Sequence, residues 1–576
     1  MAELLALFQE GRWLLDFIGF LLMAILLLAV CIGFGSRILK EKQWDFCLGV
    51  GLIGLGTALL PLTALGALKA AFILLPLGLF FLWRNFHEII WFRKDSWFWV
   101  WCALFGLLQF LFFLPQIDTD ALYYHLAIPK QIWIQNGLVG GELKPNGSRP
   151  LPFHLLLSLL FGWGGFRAML SFCSLLLLGL MLSLGERFLS TVTSAQSSRW
   201  IMLYLCLGSY SFWEQATIVA NNVVVGFLLW LAWCVGENKQ MQRGVFGVFL
   251  AGAVAIKLTA VGVGFAIWFL ARKPWREKII EAGIGAPLVI VWWIRNLLVG
   301  DHFLFPYQGW ELEIPFLYLE KYGLGRDFEA MALLPWNIIM RANIDSLQFL
   351  GQLSPVFLLS PFLIWYWIRQ RDWRGAFVIL FGFGFWMAGP HWIRHLFPMF
   401  FVFVFMFSAS IPWHSWFVRG IFFFLFFLGA ERNILPFIDK TVHRMEERER
   451  LIPGYRAMQW LNEHTSQQDR IALFFAWSGS ELDREFVLGS VEDHTPIRHW
   501  FMKHGDQAIV KLKEQEVKYI VVGPHRFLPK AYPFLKKDRF EAQFLQPVQK
   551  MEALLLRDTR LLVQLDGYRI YKINPE

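Results

Sequence analysis

The residues best suited to chemistry occupy positions 117–130, IDTDALYYHLAIPK, directly after a long apolar stretch. Asp118 and Asp120 stand two positions apart, and Tyr124, His125 and Lys130 are among the polar residues that follow. A carboxylate that is partly desolvated beside apolar residues can act as a general base on a hydroxyl group. Two carboxylates at this spacing can instead hold a divalent cation, together with water. The residue types leave both roles open.

The apolar segments around these residues are long and numerous. Hydrophobic residues make up 56% of the 576 positions and charged residues 17%, against roughly 25% charged residues in soluble domains. Windows of about 20 apolar residues recur, each long enough to cross a hydrocarbon core ~30 Å thick. We therefore predict a polytopic α-helical membrane protein with about 13 crossings. The net charge of +9 does not indicate nucleic acid, because Lys and Arg in membrane proteins mainly set topology.

Six short basic loops predict the orientation of the chain, because Lys and Arg beside a span stay in the cytoplasm. These loops are 36–42, 84–94, 185–199, 237–243, 272–278 and 369–374. With all six inside, loops 116–167 and 300–345 lie outside, together with the tail. Within the first external loop, the apolar spacing after the acidic pair predicts an amphipathic helix on the outer surface. Residues 149–165 predict a second surface helix before the chain re-enters the membrane.

The apolar character ends abruptly, so we predict a transmembrane domain over 1–437 and an extracytoplasmic α/β domain over 438–576. The tail predicts a helix over 454–464 with Met458 and Leu461 on its inner face. Further predicted elements are a strand over 470–475, a helix over 507–517, and strands over 517–522 and 567–573. The histidines of the tail lack metal-ligand spacing, so surface or packing roles are favoured.

Basic residues converge on the predicted outer face: Lys257, Arg295, His302, Arg394 and His395. A cation near a bilayer is costly and usually has a partner. Snorkelling to lipid head groups is one explanation, and an anionic ligand such as a lipid phosphate is the other. Lys257 interrupts an apolar run, where AIKLTA predicts a tight outer turn between two short helices. Snorkelling therefore explains Lys257 least well.

Several segments, in matching order, resemble the GT-C superfamily of polytopic glycosyltransferases, and in particular its bacterial protein-mannosyltransferase and aminoarabinose-transferase-like members. They are 120–137, 255–260, 292–307, 391–400 and 453–474. Asp301 and His302 stand where Asn-Pro is usual in that group. The chain also has about three apolar spans before the acidic loop, where the family core has one.

The resemblance implies transfer of a hexosyl or pentosyl group from a polyprenyl-phosphate donor, with inversion, to a lipid, glycan or protein acceptor. The reaction takes place on the non-cytoplasmic face, here expected to be the periplasmic side of a bacterial inner membrane. Asp120 would be the general base, with Asp118 assisting or binding a cation. A divalent cation is the one cofactor that the pattern suggests. Residues implied to bind substrate are Tyr124 and His125 on the acceptor side, Lys257, Arg295 and Arg394 at the lipid phosphate, and Lys130, His302 and His395.

Three other functions fit a polytopic membrane protein. A transporter or lipid flippase usually has charge at mid-bilayer and internal repeats, neither of which is evident here. A surface-polysaccharide ligase or polymerase needs a large external loop rich in Arg and His. A scaffold that uses the tail for docking predicts no effect from changing Asp120. A GT-C glycosyltransferase is the favoured interpretation.

Overall fold

Long apolar runs with few charges form the helices that precede residue 440. A computed structural model describes the protein over residues 12–110, 121–141, 151–191, 195–238, 242–299, 327–341, 352–369, 373–387, 393–410, 416–439, 452–476, 478–488, 500–524 and 546–574. The first helices are α1 Arg12–Ile38, α2 Trp44–Ala64, α3 Leu74–Asn85, α4 Ser96–Phe110, α5 Ala127–Gln135, α6 Pro152–Thr191, α7 Ala195–Leu207, α8 Tyr210–Thr217, α9 Asn222–Glu237, α10 Val245–Ile256, α11 Ala260–Leu270 and α12 Trp275–Leu298. They are followed by α13 Phe328–Ala332, α14 Leu334–Trp336, α15 Ser360–Arg369, α16 Trp373–Met387, α17 Phe397–Ser410 and α18 Trp416–Gly429.

Helices of sufficient length and hydropathy make this an integral membrane protein, as its composition predicts. Five segments of the described residues can cross a membrane: Leu15–Ile38, Trp44–Ala64, Leu68–Glu88, Pro152–Leu189 and Trp416–Asp439. Helices α8 and α9, bent by 110° at their junction, make a sixth crossing if they are counted together. Shorter apolar helices accompany them, so the figure of about 13 crossings stays a prediction.

The six basic loops lie together at one end of the helical bundle. Contacts join them in pairs: Lys42–Glu88, Lys40–Gln242, Arg93–Glu186, Arg187–Gln43, Arg272–Glu237 and Arg374–Glu237. Each loop supplies at least one partner, and the pairs connect all six. The loops therefore share one face, which is what the positive-inside rule requires of cytoplasmic loops.

The N-terminal helices pack on one another at backbone distance. A Cβ atom at Gly51 of α2 would lie 1.7 Å from the carbonyl oxygen of Cys31 in α1, and one at Gly35 would lie 1.9 Å from that of Cys47. Membrane helices associate through such close packing of small residues, since lipid provides no hydrophobic driving force between them. Helices α1 and α2 are therefore an integral part of the bundle.

The C-terminal domain is a five-stranded mixed sheet with helices packed against it. Its elements are α19 Tyr455–His464, β1 Arg470–Phe474, β2 Phe486–Val487, α20 Ala508–Glu514, β3 Val517–Val522, α21 Gln546–Asp558, β4 Thr559–Leu565 and β5 Tyr568–Ile573. The strand order is β2-β1-β3-β5-β4. Strand β1 pairs in parallel with β2 and β3, whereas β5 pairs antiparallel with β3 and β4.

Most predicted elements of this domain are confirmed. Met458 and Leu461 are fully buried on α19, and the three predicted strands correspond to β1, β3 and β5. The sequence did not reveal β2, α21 or β4. Strand β2 has only two residues, and β4 lies at the sheet edge with most of its side chains partly or fully exposed. Neither strand therefore shows the alternation of a half-buried strand.

Candidate active site

The segment after the acidic pair is enclosed by protein. Residues Ala121–His125 form one π-helical turn, and α5 begins two residues later. Residues 127–132 are all buried, partly by the C-terminal domain. The predicted helix is therefore present, but the prediction that it lies on the outer surface is wrong, because protein covers it. The sequence pattern could not show that a domain more than 300 residues later in the chain covers this helix.

Two buried histidines meet just after the position of the acidic pair. Nδ1 of His125 lies 3.0 Å from Nε2 of His154, and the two rings are stacked with their planes 9° apart. The ring of Tyr124 lies 4.6 Å from that of His154. All three residues are buried. Because one nitrogen of the hydrogen bond must accept, the two histidines together hold at most one positive charge.

His154 is a candidate that the sequence reasoning missed. It stands alone in the apolar run PFHLLL, and a lone histidine among apolar residues usually indicates packing. It lies on the first part of α6, before a break at Gly165, where φ is 63° and ψ is −156°. This backbone region is essentially open only to glycine. The break divides the apolar segment Pro152–Leu189 into residues 152–164, which lie within the predicted second surface helix (149–165), and the longer part that follows.

A second polar cluster surrounds Lys257, at the turn between α10 and α11. The turn has the predicted form, because α10 ends at Ile256 and α11 begins at Ala260. The Lys257 ammonium donates to Oδ1 of Asn222 at 2.6 Å. Nδ2 of Asn222 in turn donates to Oε1 of Gln215 at 3.0 Å, across the bend between α8 and α9. Asn222 and Gln215 are buried, so the ammonium is held by a fixed polar pair.

This second cluster contains further hydrogen-bond donors near Lys257. Nε2 of Gln215 is buried and has no hydrogen-bond partner among the described residues. Asn221, the N-cap residue of α9, donates its Nδ2 to the Ile256 carbonyl at 3.3 Å and makes no cap bond to α9. A helix start carries free N–H groups and a partial positive charge. Together with Lys257, these groups suit an anion.

Arg295 lies near the end of α12 and is almost completely buried. Its Nη2 donates to the carbonyl of Val139, and its Nη1 donates to Oδ1 of Asn296 at 3.3 Å. The guanidinium therefore connects the end of α12 to residues 121–141, which include His125. Its predicted contact with a lipid phosphate stays a prediction.

Several predicted site residues have no described side chain. Asp118, Asp120 and His302 lie outside the described residues. The backbone of Arg394 belongs to the 3₁₀ turn Ile393–His395 just before α17, and His395 is partly buried there. The roles of these residues, and the alternative of a cation at the two aspartates, stay predictions.

Lys130, which the resemblance implied as a substrate contact, is placed differently. It lies on α5 with its ammonium 2.9 Å from Oδ1 of Asp483 in the C-terminal domain. This contact also places that domain on the same side of the molecule as the external segment. The topology derived from the basic loops requires this arrangement.

Comparison with known proteins agrees with the interpretation of the sequence. Residues 150–302 match the family model of glycosyltransferase family 87, a family of the GT-C type. A crystal structure of ArnT from Cupriavidus metallidurans in the apo state aligns with a TM-score of 0.49 and 12% identity, over 84% of this chain and 99% of that chain. No curated protein matches the chain, and the family match does not favour a transporter or flippase. The family match confirms, over residues 150–302, the resemblance to glycosyltransferases of the GT-C type.

Proposed function

We propose that this glycosyltransferase takes its sugar from a polyprenyl-phosphate donor and transfers it at the extracytoplasmic face of the membrane. One observation supports the donor class above all: Lys257 lies against the start of α9, which no described side chain caps, beside the buried donor of Gln215. The phosphate leaves with negative charge when the bond to the sugar breaks. Fixed donors and a cation at that point stabilise the developing charge without reorganisation.

In the proposed reaction, an acceptor hydroxyl attacks the anomeric carbon while the bond between that carbon and the phosphate oxygen breaks. Asp120 takes the hydroxyl proton, and Asp118 assists it or binds a divalent cation. A single displacement of this kind inverts the anomeric configuration. The polyprenyl chain stays in the bilayer, its phosphate lies at the interface and the acceptor enters from outside. We therefore expect the reacting groups to meet at the end of a span, because both aspartates follow an apolar stretch in the sequence.

We place the acceptor beside Tyr124 and His125, and we add His154 to this group. The hydrogen bond between the two histidines fixes both rings, so their remaining polar atoms keep a defined direction. Arg295 and Arg394 would complete the cationic side of the donor site. The sugar is a hexose or pentose, and the acceptor is a lipid, a glycan or a protein. The six basic loops would then lie in the cytoplasm of a bacterial cell and the site would face the periplasm.

Sugar transfer by the purified protein in nanodiscs tests the proposal. A panel of radiolabelled polyprenyl-phosphate sugars is supplied with membrane extract as acceptor, and wild type is compared with Asp120→Asn. Glu329→Gln is the matched control, because Glu329 is an exposed carboxylate on α13, within the other predicted external loop, 300–345. We expect a loss of about 10²- to 10⁴-fold for Asp120→Asn and none for the control. Full transfer by Asp120→Asn would refute the assignment of the base. The absence of transfer by wild type from every donor would count against this donor class.

A further inference from the structure

The C-terminal domain is bound directly to the helix that follows the histidine pair. Lys130 on α5 donates to the carbonyl of Ser480 and to Oδ1 of Asp483, each at 2.9 Å. Nε2 of Gln131 donates to the carbonyl of Arg484 at 3.0 Å. All three partners belong to residues 478–486 of the C-terminal domain, here called the docking segment. The main contacts are thus hydrogen bonds and one ion pair with defined geometry.

The same helix also contributes to the core of the domain. Ala127, at the start of α5, is fully buried in a cluster with Met458, Leu461 and Phe486. Backbone N–H of Phe486, the first residue of β2, lies 3.4 Å from Oε1 of Gln131 and donates to it. The buried apolar contact and the hydrogen bonds along one helix indicate a specific interface between α5 and the C-terminal domain.

The docking segment is itself held rigidly within the domain. Arg484 is almost completely buried and donates to the carbonyls of Ser466 at 2.9 Å and Asn462 at 3.1 Å. Asn462 on α19 also donates to the carbonyl of Glu481 at 2.8 Å and accepts from the backbone N–H of Asp483 at 3.0 Å. The surface that receives α5 is therefore hydrogen-bonded to α19 and to the loop that follows it.

Lysine is unusual at a position as deeply buried as 130. Only 6% of its side chain is exposed, and its ammonium lies 5.9 Å and 5.5 Å from the ring centroids of Phe161 and Phe166 on α6. Burial lowers the pKa of Lys130, and the nearby carboxylate of Asp483 opposes that shift. A buried cation without its partner is strongly unfavourable. The lysine therefore ties α5 to the C-terminal domain more firmly than a surface ion pair would.

We propose that the docking segment is a positioning device for the active site: through Lys130 and Gln131 it fixes α5, and thereby holds Tyr124 and His125 against His154. The segment 121–135 is clamped between α6 of the membrane domain and the C-terminal domain. Asp483 and Lys130 are positioning residues and do not touch the reacting atoms. The effect on turnover rests on the proposed function, whereas the effect on the order of residues 121–135 does not.

The test compares Asp483→Asn with wild type in the full-length protein in nanodiscs. Asp483 has a side chain that is 64% exposed, so the substitution removes the charge with little effect on folding. Asp506→Asn is the matched control, because Asp506 is a similarly exposed aspartate of the same domain that pairs with Lys550 at 3.2 Å, away from α5. Asp483→Glu keeps the charge and should restore the wild-type behaviour.

Two readouts are measured: steady-state kinetics, and amide hydrogen exchange of residues 121–135. For Asp483→Asn we expect kcat to fall by roughly ten- to a hundredfold with little change in the donor KM, because misplacement of about 1 Å has effects of that size. Exchange should increase over residues 121–135 and stay unchanged in the sheet. Both readouts should be normal in Asp506→Asn.

Each outcome bears on the positioning role. Unchanged exchange over 121–135 in Asp483→Asn overturns it, and so does a rise in exchange across the whole sheet, which would mean simple unfolding of the domain. Faster exchange over 121–135 with unchanged kcat overturns the link to turnover. If wild type transfers no sugar, the proposed donor is wrong, and the exchange measurement alone then decides whether the domain holds this segment.

Discussion

Replacing Lys257 with methionine tests the proposed phosphate site most directly. Methionine preserves much of the apolar stem and removes the charge that lies 2.6 Å from Oδ1 of Asn222. Two unit charges 4 Å apart interact by about 4 kcal/mol at the effective dielectric of a partly buried site. Removing one fixed group that stabilises developing charge typically costs about 2.7–4 kcal/mol, or 10²- to 10³-fold in kcat. We therefore expect at least a hundredfold loss of kcat.

The assay follows sugar transfer at saturating donor and acceptor, with kcat and the donor KM measured separately. Asn222→Ala keeps the charge but removes its fixed partner, so we expect an intermediate loss of about tenfold, since hydrogen bonds to charged groups contribute about 1.5–3 kcal/mol. Lys511→Met, which removes an exposed lysine from the C-terminal domain, is the control. A Lys257→Met protein with wild-type kcat and a higher KM would refute the reasoning. The lysine would then bind substrate and transition state equally.

Three more predictions follow from contacts elsewhere in the chain. Gly51→Ala should lower the thermal unfolding temperature in detergent, because its Cβ would overlap a carbonyl of α1; Gly54→Ala on the same helix, with open space around its Cβ, should not. His154→Phe should lower kcat with little change in the thermal unfolding temperature, because it removes the hydrogen bond to His125 but keeps an aromatic ring. A variant with the kcat and unfolding temperature of wild type would exclude a role for His154 in the site. Asp469 of the C-terminal domain has a pKa below its ordinary value of 3.8. Burial raises this pKa, but the hydrogen bond from a lysine on β3 contributes to a net lowering. Its stabilising contribution is therefore present above about pH 4 and is lost as the pH falls through the folded-state pKa, so unfolding of the domain below pH 4 should be less steep in Asp469→Asn.

The sequence by itself determined the class of the protein and much of its layout. Apolar length and the distribution of Lys and Arg act locally and directly on insertion into a membrane, so the helical bundle and the shared face of the basic loops could be predicted. Periodicity over a few residues also predicted α19, β1, β3 and β5, because each buries one face against a nearby core. The turn at Lys257 was predictable for the same local reason.

Tertiary structure alone decided which distant residues meet at the site. His154, on the part of α6 that precedes the break at Gly165, meets His125, and nothing in the spacing of 29 residues predicts that contact. Lys130 pairs with Asp483, 353 positions away, only because the C-terminal domain docks on α5. Local patterns describe which faces of an element are apolar, but they do not state what covers those faces. The partner of each polar group is therefore set by the packing of whole elements, and this is why the sequence identified the chemical class but not the complete site.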